Sequence, residues 1–304
     1  MIAPQWLKPG DRLRVITPSG GLRDLEPFEQ GLEIWRSRGY HLELCSGYNA
    51  QWGYLAGTDQ ARRDQLLEAL NDDDCRAVLC SRGGYGATRL LEGWQWELVK
   101  ASPSPKFLIG FSDITALLWG SQGRIFGVHG PVLTTLAQEP DWSVQRLFDY
   151  LEGRPLPPLA GTGWGNGTVR GRLLPGNLTV ATCLLGTVYQ PQLSGVILAF
   201  EDVNEEPYRI DRMLTHWRMT GALQQVAGIA LGRFSQWEKN MNPKSFKLDE
   251  VLRDRLGDLG IPVVSDLPFG HEGVNYSLPV GIIAELDGDR GILNCLPEEF
   301  PIKG

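Results

Sequence analysis

The chain has 304 residues, 42% hydrophobic and 21% charged, with no long biased tract, which excludes a disordered or fibrous protein and predicts two globular domains, or one large α/β domain. Acidic residues outnumber basic ones by 36 to 29, and no Lys/Arg block is present to track a phosphate backbone, so nucleic acid is not an expected partner. No apolar run approaches transmembrane length, and the start, MIAPQWLKPGDRLRV, lacks the regions of a signal peptide, so no membrane partner and a cytoplasmic location are expected.

In chain order, the first half alternates strand-like and helix-like patterns. RLRVITP (12–18) reads as a strand, followed by the loop Ser19-Gly20-Gly21 and a helix whose Leu25, Phe28, Leu32 and Trp35 recur at helical spacing. HLELC alternates as a strand. GTDQARRDQLLEALND carries a Thr58 cap, Asp59 in its first turn, and Leu66, Leu67 and Leu70 on one face. CRAVLC is a short buried strand, SRGGYGATRLLEGW a glycine loop that turns helical, and KFLIGF and RIFGVHG two further strands. Strand, loop and helix in this order predict an α/β fold with a parallel sheet covered on both faces, and ligands at the carboxyl ends of its strands.

Residues 1–140 are read as this first domain and 141–168, rich in Pro and Gly, as a linker. Residues 169–304 are read as a smaller second α/β domain. There NLTVATCLLGT, PYRIDRMLTHWRMTG and KLDEVLRDRLGDLG read as helices, the second opened by proline. SGVILAFE, QVAGIALGRF, PVVSDLPFG, GIIAELD and GILNCLP read as strands of a mixed sheet, with DGDRG as a hairpin turn. Of the five cysteines, Cys45, Cys75, Cys80, Cys183 and Cys295, none forms a CxxC pair. Cys45, Cys80, Cys183 and Cys295 lie in or beside apolar stretches, which predicts buried thiols rather than disulfides or a zinc site.

Four stretches carry candidate chemistry. Ser112 follows KFLIGF and precedes the apolar DITALLWG, so a sharp strand-to-helix turn would project its hydroxyl at the sheet edge as a nucleophile elbow does, with the Asp113 N–H placed to receive an oxyanion. Simple capping of the helix is the other reading. In SRGGYGAT (81–88), Gly83, Gly84 and Gly86 allow close backbone approach; the loop suits a phosphate cradle, an oxyanion donor or a tight turn, but the P-loop ending and GxGxxG are missing. Among the four histidines, His271 sits among turn residues in SDLPFGHEGVNYSLPVG and suits a positioned imidazole. His129 in GVHGP is better read as structural, while His216 is placed on a helix and His41 at a strand start. Glu201 and Asp202 follow a buried apolar run, where a carboxylate can orient an imidazole; a solvated acidic loop or a weak metal cluster are the alternatives.

Taken together, GDRLRVITPSG, GYLAGTDQARRDQLLEALNDDDCRAVLCSRGGYGATRLL, FLIGFSDITALL, GVHGP, LLPGNLT, AFEDVNEEPYRIDRML and LPFGHEGVNYSLPVG resemble the LD-carboxypeptidase family of serine peptidases, which includes muramoyltetrapeptide carboxypeptidase and the microcin C immunity peptidases. The resemblance implies a Ser-His-Glu relay of Ser112, His271 and Glu201. It also implies an N-terminal parallel-sheet domain resembling class I glutamine amidotransferases, a C-terminal domain bearing the Glu and His, and a homodimer. The implied reaction removes terminal D-alanine from the murein tetrapeptide during cell-wall recycling. Backbone N–H groups of Gly84 and Asp113 would form the oxyanion hole, and no metal or organic cofactor is needed. Glu206 would contact the ammonium of the substrate's diamino acid and Arg82 its terminal carboxylate. Two rivals are the same relay acting on a peptidyl or aminoacyl nucleotide, and a two-lobe ligand-binding protein without a nucleophile.

Overall fold

The computed structural model describes residues 5–100, 105–237 and 244–296. The chain starts with β1 (Arg12–Ile16), α1 (Leu25–Ser37), β2 (His41–Leu44), α2 (Asp59–Asn71), β3 (Cys75–Cys80) and α3 (Ala87–Leu91). It continues through β4 (Phe107–Gly110), α4 (Thr115–Gly120), β5 (Phe126–His129), α5 (Leu133–Leu136) and α6 (Asp141–Leu151). Then come β6 (Leu159–Ala160), β7 (Thr162–Gly163), β8 (Thr168–Asn177), α7 (Leu178–Leu184), β9 (Val196–Val203) and α8 (Pro207–Met219). The last elements are β10 (Gly228–Ser235), α9 (Leu248–Leu256), β11 (Val263–Ser265), β12 (Leu278–Pro279), β13 (Ile283–Asp287) and β14 (Ile292–Leu296).

Two compact units result. The first holds the chain to Pro155 together with Ser277–Pro279, and the second holds Leu156–Tyr276 and the chain from Val280. The first unit's sheet has the order β12-β5-β4-β3-β1-β2; β1 to β5 are parallel and β12 lies antiparallel to β5. Strands β4 and β5 are buried along their whole length, as strands covered by helices on both faces must be. Helix α1 starts where the Asp24 carboxylate accepts the Glu26 N–H, and it buries Phe28, Leu32 and Trp35, each side chain contributing about 1.5–3 kcal/mol. Leu25, expected on that face, is exposed instead. Thr58 caps α2 by accepting the Ala61 N–H, as its position predicts. The buried face of α2 carries Arg62 and Gln65 beside Leu66 and Leu70, a polar content that apolar spacing does not reveal.

The second unit's sheet is mixed, in the order β6-β14-β13-β8-β9-β10-β11-β7, with β8 to β11 parallel and β6, β7, β13 and β14 antiparallel to their neighbours. Proline opens α8 at its first turn, where its missing N–H costs nothing.

Three expectations are corrected. The stretch read as a linker over 141–168 begins with α6, whose Leu147, Phe148, Tyr150 and Leu151 are buried, and continues into β6 and β7. The change of unit falls after Pro155, because only the later part of that stretch is rich in Pro and Gly. Ser277–Pro279, assigned to the second domain, instead belongs to the first unit, where Leu278 and Pro279 pair with β5 as the outermost strand β12, a position a proline tolerates because an edge strand leaves one side unpaired. Cys183 is exposed whereas Cys45, Cys75, Cys80 and Cys295 are buried, and all five are free thiols.

Candidate active site

In the first unit, the loops that follow β1, β3 and β4 emerge from the same edge of the parallel sheet. After β4 the chain passes through extended Phe111 into a single 3-10 turn, Ser112–Ile114, and then α4. Ser112 has φ 61°, the left-handed region, which costs a non-glycine residue on the order of 1–2 kcal/mol. No side chain caps either this turn or α4, so the helix-cap reading of Ser112 fails; its backbone is strained to turn the chain sharply. The turn is tight enough that a Cβ on Gly110 would lie 2.9 Å from the Ile114 side chain.

The glycine loop after β3 packs directly on this turn. A Cβ on Gly83 would stand 3.1 Å from Ser112 Cβ and 3.3 Å from its Oγ, and Gly84 adopts φ 114°. Asp113, 3% exposed, accepts the Ala87 N–H at 2.8 Å through Oδ2. Burial pushes its carboxyl upward, opposed by that N–H and by the charge of Arg62. Arg82 donates from Nη1 to Gly21 O at 2.8 Å, and its Nη2 faces Gly84. Ser112, Asp113, Gly84 and Arg82 are therefore neighbours in one loop cluster. His129 is fully buried on β5, edge-on to Phe111, in keeping with a structural histidine.

In the second unit, Glu201 lies inside β9 rather than after it and is completely buried. His271 Nδ1 meets Glu201 Oε2 at 2.6 Å, with Nδ1–H as donor to the carboxylate, while Asn177 Nδ2 donates to Oε1 at 3.3 Å. Both carboxylate oxygens are held, so the bond to Glu201 fixes the orientation of the imidazole and places its proton on Nδ1. Burial disfavours the charged imidazole, but the Glu201 and Asp202 charges outweigh it and raise the His271 pKa. Asp202, buried beside Glu201, is pushed up to about 6 by burial and by its neighbour's charge; it accepts from Thr179 N and Oγ1, each at 2.8 Å, and from Asn177 Nδ2 at 3.0 Å. The loop carrying His271 is tied to β10 by Arg233 N donating to Phe269 O at 2.7 Å, and internally by Gly270 N donating to Asn275 Oδ1 at 3.2 Å. Gly270 has φ 132°, and a Cβ there would fall 2.9 Å from Arg233 O and 3.2 Å from Glu201 Cβ; only glycine lets the loop lie flat enough for the ring to reach Glu201.

Glu206 caps the start of α8 with its backbone and keeps its half-buried carboxylate out of any ion pair among the described residues. Asn177 was not singled out from the sequence. Its signal there is an Asn just before an apolar helical run, the position from which it caps α7 by accepting the Val180 N–H, and nothing local indicates that its amide also reaches Glu201.

Comparison with known proteins covers both units. The LD-carboxypeptidase N-terminal domain model matches residues 13–130, and the LD-carboxypeptidase C-terminal domain model matches residues 170–286. A protein of Synechocystis sp. is 58% identical over 97% of each chain, and the murein tetrapeptide carboxypeptidase of Pseudomonas aeruginosa is 32% identical over 94% of this chain and 96% of its own. The chain belongs to the LD-carboxypeptidase family. It is a serine-type carboxypeptidase. Among solved structures, the muramoyltetrapeptide carboxypeptidase from Oxalobacter formigenes superposes with a TM-score of 0.82 at 28% identity, covering 93% of this chain and 97% of that one. The microcin C7 self immunity protein MccF, in complex with glutamyl sulfamoyl guanosine, superposes at 0.84 and 20% identity over 99% of this chain and 100% of that one, and so shares the fold. No helix among the described residues is long and apolar enough to cross a membrane.

Proposed function

We propose that this carboxypeptidase releases terminal D-alanine from the murein tetrapeptide, cutting the bond from an L-diamino acid to D-alanine, as part of cell-wall recycling in the cytoplasm. The observation that carries this reading is the pairing of buried Glu201 with His271, which prepares an imidazole as a general base in a chain of this family. His271 Nε2 takes the proton from Ser112 Oγ as the oxygen attacks the scissile carbonyl, then returns it to the departing amine of D-alanine. Glu201 keeps the proton on Nδ1 and stabilises the imidazolium. Backbone N–H groups of Gly84 and Asp113 hold the oxyanion, a donor of this kind contributing about 3 kcal/mol in other hydrolases. Water then attacks the acyl-enzyme by the same route, releasing the tripeptide.

Arg82 offers its remaining guanidinium N–H groups to the substrate's terminal carboxylate. Glu206, without an ion-pair partner among the described residues, offers its carboxylate to the ammonium group of the diamino acid. Glu206→Gln is expected to raise KM for a diaminopimelate-containing tetrapeptide about tenfold with kcat nearly unchanged; an unchanged kcat/KM removes Glu206 from the site. The central test is release of D-alanine from muramoyl-tetrapeptide by the protein and by Ser112→Ala. Because MccF shares the fold, a peptidyl or aminoacyl nucleotide is the second substrate to assay in parallel. Turnover of that compound alone would move the assignment to the immunity branch.

A further inference from the structure

Arg62 is a fully buried guanidinium on α2, remote in sequence from every residue of the proposed relay, and its contacts converge on the loops around Ser112. Its Nη1 donates to Pro18 O at 2.5 Å, at the end of β1, and to Gly86 O at 2.8 Å, at the end of the glycine loop. Its Nη2 donates to Asp59 Oδ1 at 2.5 Å, and Asp59 is held in turn by Arg89 at 2.6 Å. Gly86 is obliged to be glycine on two counts: its φ is 129°, and a Cβ would lie 2.6 Å from Arg62 Nη1. Three more ties join the same segments. Gly20 N donates to Gly83 O at 3.2 Å, Arg82 Nη1 to Gly21 O at 2.8 Å, and Ala87 N to Asp113 Oδ2 at 2.8 Å.

The bond from Gly20 fixes the plane of the Gly83-Gly84 peptide. In a trans peptide the N–H points opposite to the C=O, so anchoring Gly83 O on Gly20 turns the Gly84 N–H away from the β1 loop. Gly83 itself lies against Ser112. That plane stays in place only while the loops carrying Gly20 and Gly83 keep their spacing, and Arg62 is the side chain that grips a carbonyl from each. Desolvating a guanidinium is expensive, and a well-packed apolar side chain would stabilise α2 as well, so stability is a poor reason for a buried arginine here.

We propose that Arg62, seated on Asp59, is a positioning residue for acyl transfer: by gripping Pro18 O and Gly86 O it holds the Gly83-Gly84 peptide so that the Gly84 N–H is aimed at the oxyanion. This rests on the serine relay of the preceding section. Arg62 touches no reacting atom; its effect falls on stabilisation of the tetrahedral state and not on binding of the ground state.

The test compares Arg62→Lys, Arg62→Met and Asp59→Asn with the parent protein on muramoyl-tetrapeptide, together with the rate of inactivation by a serine-directed phosphonate, whose adduct also places an oxygen in the oxyanion hole. Arg62→Met is expected to lower kcat by about 10²–10³-fold, the loss seen when one oxyanion donor is removed, with KM within about twofold. Arg62→Lys, which can reach one carbonyl, should retain an intermediate kcat, Asp59→Asn should lose less than either, and phosphonate inactivation should slow in parallel. Lys106→Met is the control: Lys106 is another buried cation, bonded to Leu70 O at 2.6 Å just before β4, at the end of the sheet opposite Ser112, and its loss should lower Tm while leaving kcat unchanged. If Arg62→Met fails to fold, Arg62→Lys and Asp59→Asn carry the comparison. A kcat for Arg62→Lys within twofold of the parent, a rise in KM at constant kcat, or an equal loss of kcat in Lys106→Met would each overturn the proposal. Full turnover by Ser112→Ala would overturn the serine relay itself, whereas a dead Ser112→Ala beside an unimpaired Arg62→Lys would sink the positioning role alone.

Discussion

At the scale of single residues, the two halves of the proposed relay are prepared by different physics. Ser112 is held by backbone strain, at φ 61° on a turn that no side chain caps, whereas His271 is held by charge, through Nδ1 on a buried carboxylate. The charge has a consequence in pH. Burial alone would lower the His271 pKa, and Glu201 and Asp202 lift it above 6.5. Because only the neutral imidazole accepts the serine proton, the acid limb of kcat/KM should lie above that value. Glu201→Gln removes the largest raising influence and leaves the burial, so the limb should shift to lower pH while the plateau falls about 10²–10⁴-fold. An acid limb that stays in place would show that another group titrates. The same pair contributes to folding: a histidine whose pKa is raised in the folded state adds stability at pH below its unfolded pKa, and that stability is lost as pH rises through the folded value, so Glu201→Gln should flatten stability over this window.

Elements set where these residues stand, and glycines set how closely the elements approach. Gly270→Ala puts a methyl 2.9 Å from Arg233 O at a φ of 132°, so the His271 loop must lift from β10. The expected outcome is a loss of about 1–3 kcal/mol of stability and a kcat that falls along with the acid-limb pKa, read by thermal melts and pH profiles; a variant with unchanged pKa would mean that the loop does not set the His271–Glu201 contact. Much at this scale was legible in the sequence, because alternation and helical spacing are local. The strand-loop-helix rhythm of the first half, the Thr58 cap, the proline start of α8 and the 288–291 hairpin turn all follow from neighbours a few residues apart. What escaped depends on distant contacts. Nothing local marks Arg62 as buried, because contacts distant in the sequence enclose it; nothing near Asn177 points to Glu201; and the Pro and Gly that follow α6 make its stretch resemble a linker.

At the scale of the whole molecule, the candidate residues divide between two units, Ser112 with its glycine loop in the first and Glu201, His271 and Glu206 in the second. Return of Ser277–Pro279 to the first sheet means that the chain does not divide at a single point, which is why a boundary drawn from composition alone was too simple. Family membership covers both units and was readable from seven collinear motifs, but membership alone does not state which bond is cut. The most direct measurement is the rate of D-alanine release from muramoyl-tetrapeptide by the intact protein and by Ser112→Ala. Release by the parent, reduced at least about 10³-fold in the variant, is the predicted result. No release by the parent, or equal release by both, would contradict it.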